Sequence, residues 1–489
     1  MDSIGLISLA VLVLVPGTFL AVRILREPFA GLCLWVLLLP VTKSFATFVG
    51  YPDGFGPLVL QKVTLADPVL AMTVVALVAN ERGKQGSLGK PGWRVVLCLV
   101  GFCGIGLISG FIGQAGPEIF VDLATYSWLC CSVIVICLLV SDRSRAERIL
   151  RALFWAGVIA IAAGTAGTLL LVGGSSSNVL VLGGKVTGLF ERANQVQSFI
   201  VTILPFLCIV VLDRRASRMH RLFYGALIVL AALSTVASGS RAAVVFIALA
   251  VWLMILLTSV RASIVLAAAV LLLAGSLWGI FEQYKAEMPF AVQRALSFID
   301  GDDADLDSLS VPRANQWAAW QEVFAEHPMI GVGPDQFQYW VPRIVAGAKP
   351  QEAHNTYLAV LAETGLCGGV FVFTLFASVL ARVLSFWRST TQRRLAELPV
   401  ARALLVAYVS LLLFGTLHNG IRQRYFWFVI ALIICLPRIY GLDASVRKRL
   451  RALPFPFVAG GRPRAAAHAT RGIAAETVSG ATSAAMSFD

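Results

Sequence analysis

Long apolar runs alternate with short polar breaks through most of this chain of 489 residues, and the length of those runs decides the fold class. About 17 to 25 apolar residues cross a hydrocarbon core of about 30 Å as a helix, and inside lipid a helix satisfies its own backbone. The pattern predicts thirteen such runs, at Ile4–Val22, Phe29–Val49, Leu65–Ala79, Val95–Ile112, Ile119–Val140, Leu153–Val172, Val196–Leu212, Leu222–Ala237, Ala242–Thr258, Ser263–Phe281, Leu366–Leu384, Ala403–Leu417 and Tyr425–Tyr440. The first run has no clear small-residue cleavage site and is followed by many more, so a retained helix is expected. The expected fold is an all-α polytopic membrane protein of about 12–13 spans.

One stretch breaks the pattern. From Glu282 to Glu363 the chain is of mixed polarity, which predicts a helical insertion between two spans. In RANQWAAWQEVFAEH, Arg313 to His327, the spacing of Trp317, Trp320 and Phe324 predicts one apolar face of an amphipathic helix headed by Arg313. Pro328 and the GVGP turn should end it, and Pro350 should break the chain again before a helix near Asn355. The acidic run Asp300, Asp302, Asp303, Asp305 and Asp307 lacks the glycine and glutamate a calcium loop needs at its sixth and twelfth positions, so a solvated loop is expected. These boundaries divide the chain into a helix bundle (1–281), the insertion (282–365), C-terminal spans (366–441) and a tail (442–489). The tail is rich in Arg, Ala, Ser and Gly and is expected to be disordered.

The formal net charge of +13 would suit a nucleic-acid partner until the charges are sorted by loop. With the N-terminus outside, 28 of the 40 lysines and arginines fall on the inner side, whereas 18 of the 27 acidic residues fall outside. That is the positive-inside pattern, so the excess is topogenic and no nucleic-acid partner is expected. The nine cysteines sit in or beside apolar runs without zinc-site spacing, and no metal site is expected.

Polar chemistry concentrates on the outer side. His354 precedes Asn355, a good N-cap, at the entrance of TYLAVLAE, and a helix N-terminus favours a neutral imidazole that can accept a proton. Glu363 and Gly365 close that segment. Arg241, in SGSRAA, and Arg313 place guanidinium groups on the same side. Two arginines and a neutral histidine suit a site that holds a pyrophosphate and deprotonates a hydroxyl. Arg422 and Arg424, in HNGIRQRYFW, suit phosphate or acceptor contact, with interface anchoring as the alternative. Asn194, in GLFERANQ, is a further substrate contact or simply a helix cap.

The GvGp-x-x-F turn, the H-N-x-x-L segment and the a-E-x-G-l-x-G signature are carried here by Gly331, Gly333, Pro334, Phe337, His354, Asn355, Leu358, Glu363, Gly365 and Gly369. By these motifs the chain resembles the O-antigen ligase and Wzy-type polysaccharide polymerase superfamily. Ser240 and Arg241, Arg313 and Trp317, Gly188 and Asn194, and Asp67 match weaker elements in the same order. The resemblance implies a glycosyltransferase-C-like fold in a bacterial inner membrane and a polyprenyl-pyrophosphate-linked glycan donor at the periplasmic face. It also implies catalysis with no cofactor or metal. Carried over, Arg241 and Arg313 would contact the donor pyrophosphate and His354 would activate the acceptor hydroxyl. The acceptor could be lipid A core, another glycan or a protein hydroxyl, so ligase, polymerase and protein O-oligosaccharyltransferase all stay open. A flippase of lipid-linked glycans, surrounded by membrane lipids, is the alternative from another class.

Overall fold

The computed structural model describes residues 17–43, 63–80, 88–113, 118–174, 180–182, 184–239, 241–268, 303–345, 350, 352–390 and 398–440. Its helices are α1 (Pro28–Leu37), α2 (Ala66–Ala79), α3 (Gly89–Ile112), α4 (Glu118–Leu139), α5 (Arg143–Val172), α6 (Ala193–Leu212), α7 (Arg218–Ala237), α8 (Arg241–Leu256), α9 (Asp303–Glu326), α10 (Phe337–Ile344), α11 (Thr356–Thr390), α12 (Pro399–Phe414) and α13 (Arg424–Ile439). Residues 17–26 and 260–268 are helical as well. A two-stranded antiparallel pair, β1 (Val181–Leu182) and β2 (Lys185–Val186), pairs Val181 with Val186.

Six helices among the described residues are long and apolar enough to cross a membrane: α3, α4, α5, α6, α7 and the Thr356–Phe386 part of α11. Helices α1, α2, α12 and the apolar part of α8 are shorter, at 10–17 residues. The fold is therefore that of an all-α polytopic membrane protein. Of the thirteen runs in the sequence, most of Ile4–Val22 and Ser263–Phe281 lie outside the described residues, and helix α1 covers only the first part of Phe29–Val49. Residues Asp443–Asp489 lie outside the described residues.

Several helices begin well before their apolar runs. Helix α5 starts at Arg143, where the Asp142 side chain accepts a hydrogen bond from the Arg145 amide at 3.0 Å. The basic residues that follow are helical: Arg145 donates to the Leu139 carbonyl at 3.1 Å, and the Arg148 guanidinium lies 4.7 Å from the Phe29 ring centre. Helix α7 likewise starts at Arg218, capped by Ser217. Arginine is a good helix former, so the helix continues where hydropathy has already stopped.

Helix α13 is the core of the bundle. All its residues except Arg424 and Arg438 are buried, as suits a helix apolar on every side. It packs on α4, α11 and α12, and runs alongside α4: Arg422, just before its start, meets Asp122 near the start of α4, and Arg438 near its end donates to the Val140 carbonyl just past the end of α4 at 2.9 Å.

The insertion packs as a small helical layer on the first turns of α11. Ala319 and Val323 of α9, Val332, Phe337 and Val341 of α10, and Ala353, Ala359 and Ala362 form one apolar cluster, with Trp320 and Trp340 against it. The amphipathic face of α9 differs from the expected one: Trp317 is 54 % exposed, while Gln316, Ala319 and Val323 are buried. Trp320 does face inward and stacks on Phe324 at 5.3 Å between ring centres. The small residues let α9 approach closely, which puts them, and not the indole of Trp317, on the contact side. The acidic run is not wholly a loop either, since α9 begins at Asp303 and Arg313 lies inside that helix and not at its head. Acidic residues suit a helix N-terminus, so they extend α9 upstream.

Candidate active site

The segment from Gly331 to Gly369 folds as two strips of backbone clipped together. The Val332 and Gly333 amides donate to the carbonyls of Ala362 and Glu363 at 3.0 and 2.8 Å. Gly365 breaks α11 with a non-helical conformation, and past it the traffic reverses, with the Leu366 and Cys367 amides donating to the carbonyls of Pro328 and Met329 at 2.9 and 3.0 Å. The contact leaves no room for side chains at two glycines. A Cβ on Gly331 would stand 2.5 Å from the Glu363 backbone carbon, and one on Gly365 would stand 2.3 Å from that of Met329. Both also have positive φ, 75° and 62°, so the GVGP turn and the E-x-G signature are the two halves of one backbone joint. Ser109 of α3 ties the joint to the bundle by donating to the Glu363 carbonyl at 2.8 Å.

His354 stands exposed at the end of this joint, immediately before α11. Asn355 caps the helix: its side-chain oxygen accepts from the amides of Tyr357 and Leu358 at 2.9 and 3.1 Å. Thr356 binds the neighbouring turn, donating through its amide to Gly415 at 2.7 Å and through its hydroxyl to the His418 carbonyl at 2.8 Å. The His354 and His418 rings meet edge to face at 6.3 Å. His354 is therefore positioned by a capped helix on one side and a pinned loop on the other.

That loop carries Arg422 and leads into Arg424, the first residue of α13, and carboxylates engage both. The Arg422 guanidinium touches Asp122 of α4, lies 3.0 Å from Asp335 beside the GVGP turn, and lies 3.7 Å from Glu363 of α11. Its Nε donates to the Tyr126 hydroxyl at 3.5 Å. Asp122, Asp335 and Glu363 are all buried, and Arg422 keeps 16 % side-chain exposure. Burial alone would favour losing the arginine proton, but Asp122, Tyr126, Glu363 and Asp335 together hold its pKa well above the ordinary arginine value. Asp335 adopts φ 63°, a left-handed conformation that aspartate tolerates better than most residues. Arg424 pairs with Asp67 at 2.7 Å, and Asp67 also accepts from Trp128 Nε1 at 2.9 Å and the Thr64 amide at 2.7 Å. Two cations at the start of α13 oppose its helix dipole, and these carboxylates offset that cost.

A third arginine is held differently. Arg192 is the N-cap residue of α6, with no side-chain cap, and Asn194 lies inside the helix and is not its cap. The Arg192 guanidinium meets Glu352 at 3.0 Å, two residues before His354. Glu352 raises the pKa of Arg192. Burial would raise the Glu352 carboxyl, but Arg422 and Arg192 outweigh it and hold that carboxyl below the usual glutamate range. The structure thus brings Asn194, His354, Asn355, Glu363, Arg422 and Arg424 to one end of the bundle through the starts of α6, α11 and α13. Arg241 opens α8, which packs on α6 and α12, and Arg313 lies on α9, which packs on α10 and α11. The side chains of both lie outside the described residues.

Sequence reasoning passed over Asp122, Asp335 and Glu352. Asp122 carried a signal, being a lone acid near the start of an apolar run, and such a residue usually has a partner. Among the described residues no group of three or more His, Cys, Asp or Glu side chains is arranged to hold a metal ion.

No curated protein matches the chain. Residues 226–373 match the model of the family described as O-antigen ligase. The matched stretch runs from within α7 to within α11 and contains Arg241, Arg313, His354, Asn355, Glu363 and the whole backbone joint. The chain is thus a multi-pass membrane protein whose residues 226–373 are similar to the O-antigen ligase family.

Proposed function

We propose that this protein transfers a glycan from a polyprenyl-pyrophosphate carrier to a hydroxyl acceptor at the periplasmic face of a bacterial inner membrane, with inversion and without a metal. The acceptor oxygen bonds to the anomeric carbon as the bond from that carbon to the pyrophosphate oxygen breaks. The hydroxyl proton passes to His354, and the electron pair leaves with the pyrophosphate, whose charge Arg241 and Arg313 take up. Asn355 orients the base by fixing the first turn of α11. Arg422, Arg424 and Glu363 shape the floor of the site, and Asn194 contributes a donor or acceptor contact beside Arg192.

The observation that supports this reading best is the exposed His354 at a capped helix entrance, inside the stretch that matches the O-antigen ligase family. The test is transfer by the purified protein in proteoliposomes from a polyprenyl-pyrophosphate-linked glycan. Transfer by wild type that is lost in His354→Ala, with unfolding temperature unchanged, is the expected outcome. Flipping of the lipid without transfer would make the protein a transporter. The acceptor is read from the lipid-linked pool of a deletion strain, where single repeat units indicate a lost polymerase and full polymer on the carrier a lost ligase. An unchanged pool counts against both.

A further inference from the structure

The three arginines that the described residues place around His354 differ in what binding an anion would require of them. For Arg422 to turn to a ligand, the buried carboxylates Asp122, at 2 % exposure, Asp335 and Glu363 would lose their cation without gaining water, and for Arg424 the mostly covered Asp67 would lose its own. Arg192 has no such constraint. Its side chain is 60 % exposed, its partner Glu352 is 30 % exposed, and water can solvate either group once they part. Arg192 also stands at the N-terminus of α6, which has no side-chain cap, so a helix dipole favourable to an anion points the same way as its guanidinium charge. A single carboxylate is a smaller counter-charge than a pyrophosphate, which carries more negative charge and can accept both arms of a guanidinium.

The tether between Arg192 and His354 is short. Glu352 is followed by buried Ala353, which packs in the insertion's apolar cluster, and then by His354. Arg192 is joined on its other side to the segment that follows α1: the Glu191 amide donates to Thr42 Oγ1 at 3.1 Å, and Thr42 bonds Gln195. A phosphate taken up by Arg192 would therefore lie against the chain that presents His354.

We infer that Arg192 is a ligand for the donor's phosphates, held by Glu352 beside His354 until the donor displaces that carboxylate. The inference rests on the transfer reading above and adds a binding residue outside the stretch matched to the family.

The experiment titrates a polyprenyl-pyrophosphate-linked glycan in proteoliposomes containing the full-length protein, with Arg192→Gln, Glu352→Gln and the charge swap Arg192→Glu with Glu352→Arg. Arg192→Gln should raise the donor KM about tenfold or more with kcat within about twofold, since a ground-state contact is lost. Glu352→Gln should lower the donor KM by removing the competing carboxylate, and the swap should stay as impaired as Arg192→Gln. Equal losses in both single variants with recovery in the swap would instead make the pair a structural clasp and overturn the inference. So would an unchanged or raised donor KM in Glu352→Gln, which decides alone if Arg192→Gln does not accumulate folded. If wild type binds polyprenyl pyrophosphate without transferring its glycan, the transfer reading fails, and the same comparison is read as equilibrium binding. If wild type does neither, both readings fall.

Discussion

Arg422 and Arg192 approach the same carboxylate-rich end of the bundle, yet their surroundings give them opposite characters. Arg422 is enclosed by Asp122, Asp335 and Glu363, contributed by α4, the GVGP turn and α11, so one guanidinium joins three elements and the loop that carries it. Arg192 holds one half-exposed carboxylate across a surface. A buried pair loses about 3–5 kcal/mol when one member is removed, because the other charge is left stranded, whereas an exposed pair is worth about 0–1 kcal/mol. The same side chain is thus a fastener in one setting and an exchangeable ligand in the other.

Removing the fastener should have the largest effect. Arg422→Ala is expected to destabilise the protein by about 3–5 kcal/mol, seen as a large drop in unfolding temperature in detergent or as loss of monodisperse protein. Wild-type stability in that variant would mean the three carboxylates find other counter-charges. Next comes the joint that Arg422 secures. Gly365→Ala should cost about 2–4 kcal/mol, from overpacking against Met329 and from its positive φ, and thermal unfolding measures it.

Smaller effects sharpen the contrast. Asn355→Ala removes a cap with two hydrogen bonds and should lower stability by about 1 kcal/mol, with first-turn amides of α11 exchanging hydrogen faster. Arg192→Ala should change stability by less than about 1 kcal/mol, so any strong effect on donor use cannot be put down to unfolding. If Arg192→Ala instead unfolded the protein as Arg422→Ala does, the distinction between the two arginines would disappear.

Much of this arrangement was legible in the sequence, for reasons specific to each part. Apolar runs gave the helices because lipid enforces helix wherever such a run is long enough, and Ala66–Ala79 matches its run almost residue for residue. Helix starts such as Arg143 were not legible, because charged residues with good helix propensity carry the helix beyond the apolar window. The GVGP and E-x-G motifs are each legible as local signals. That they are two sides of one joint is a non-local fact, set by Gly331 and Gly365 meeting across the fold. Arg422 and Arg424 were legible as cations suited to phosphate contact or interface anchoring, while their carboxylate partners were not legible. Asp122 and Asp67 lie hundreds of residues away, and only packing of α13 against α4 and the start of α2 brings them together. The displaced face of α9 has the same origin: periodicity identified an amphipathic helix, while the small residues Ala319 and Ala362 decided which side could dock.

The most direct test of the account is single-turnover glycan transfer by purified wild type and His354→Ala at matched unfolding temperature. A fall in the rate of about a hundredfold or more, with donor affinity retained, is the expected result for a lost general base. Transfer at the wild-type rate by His354→Ala would contradict it.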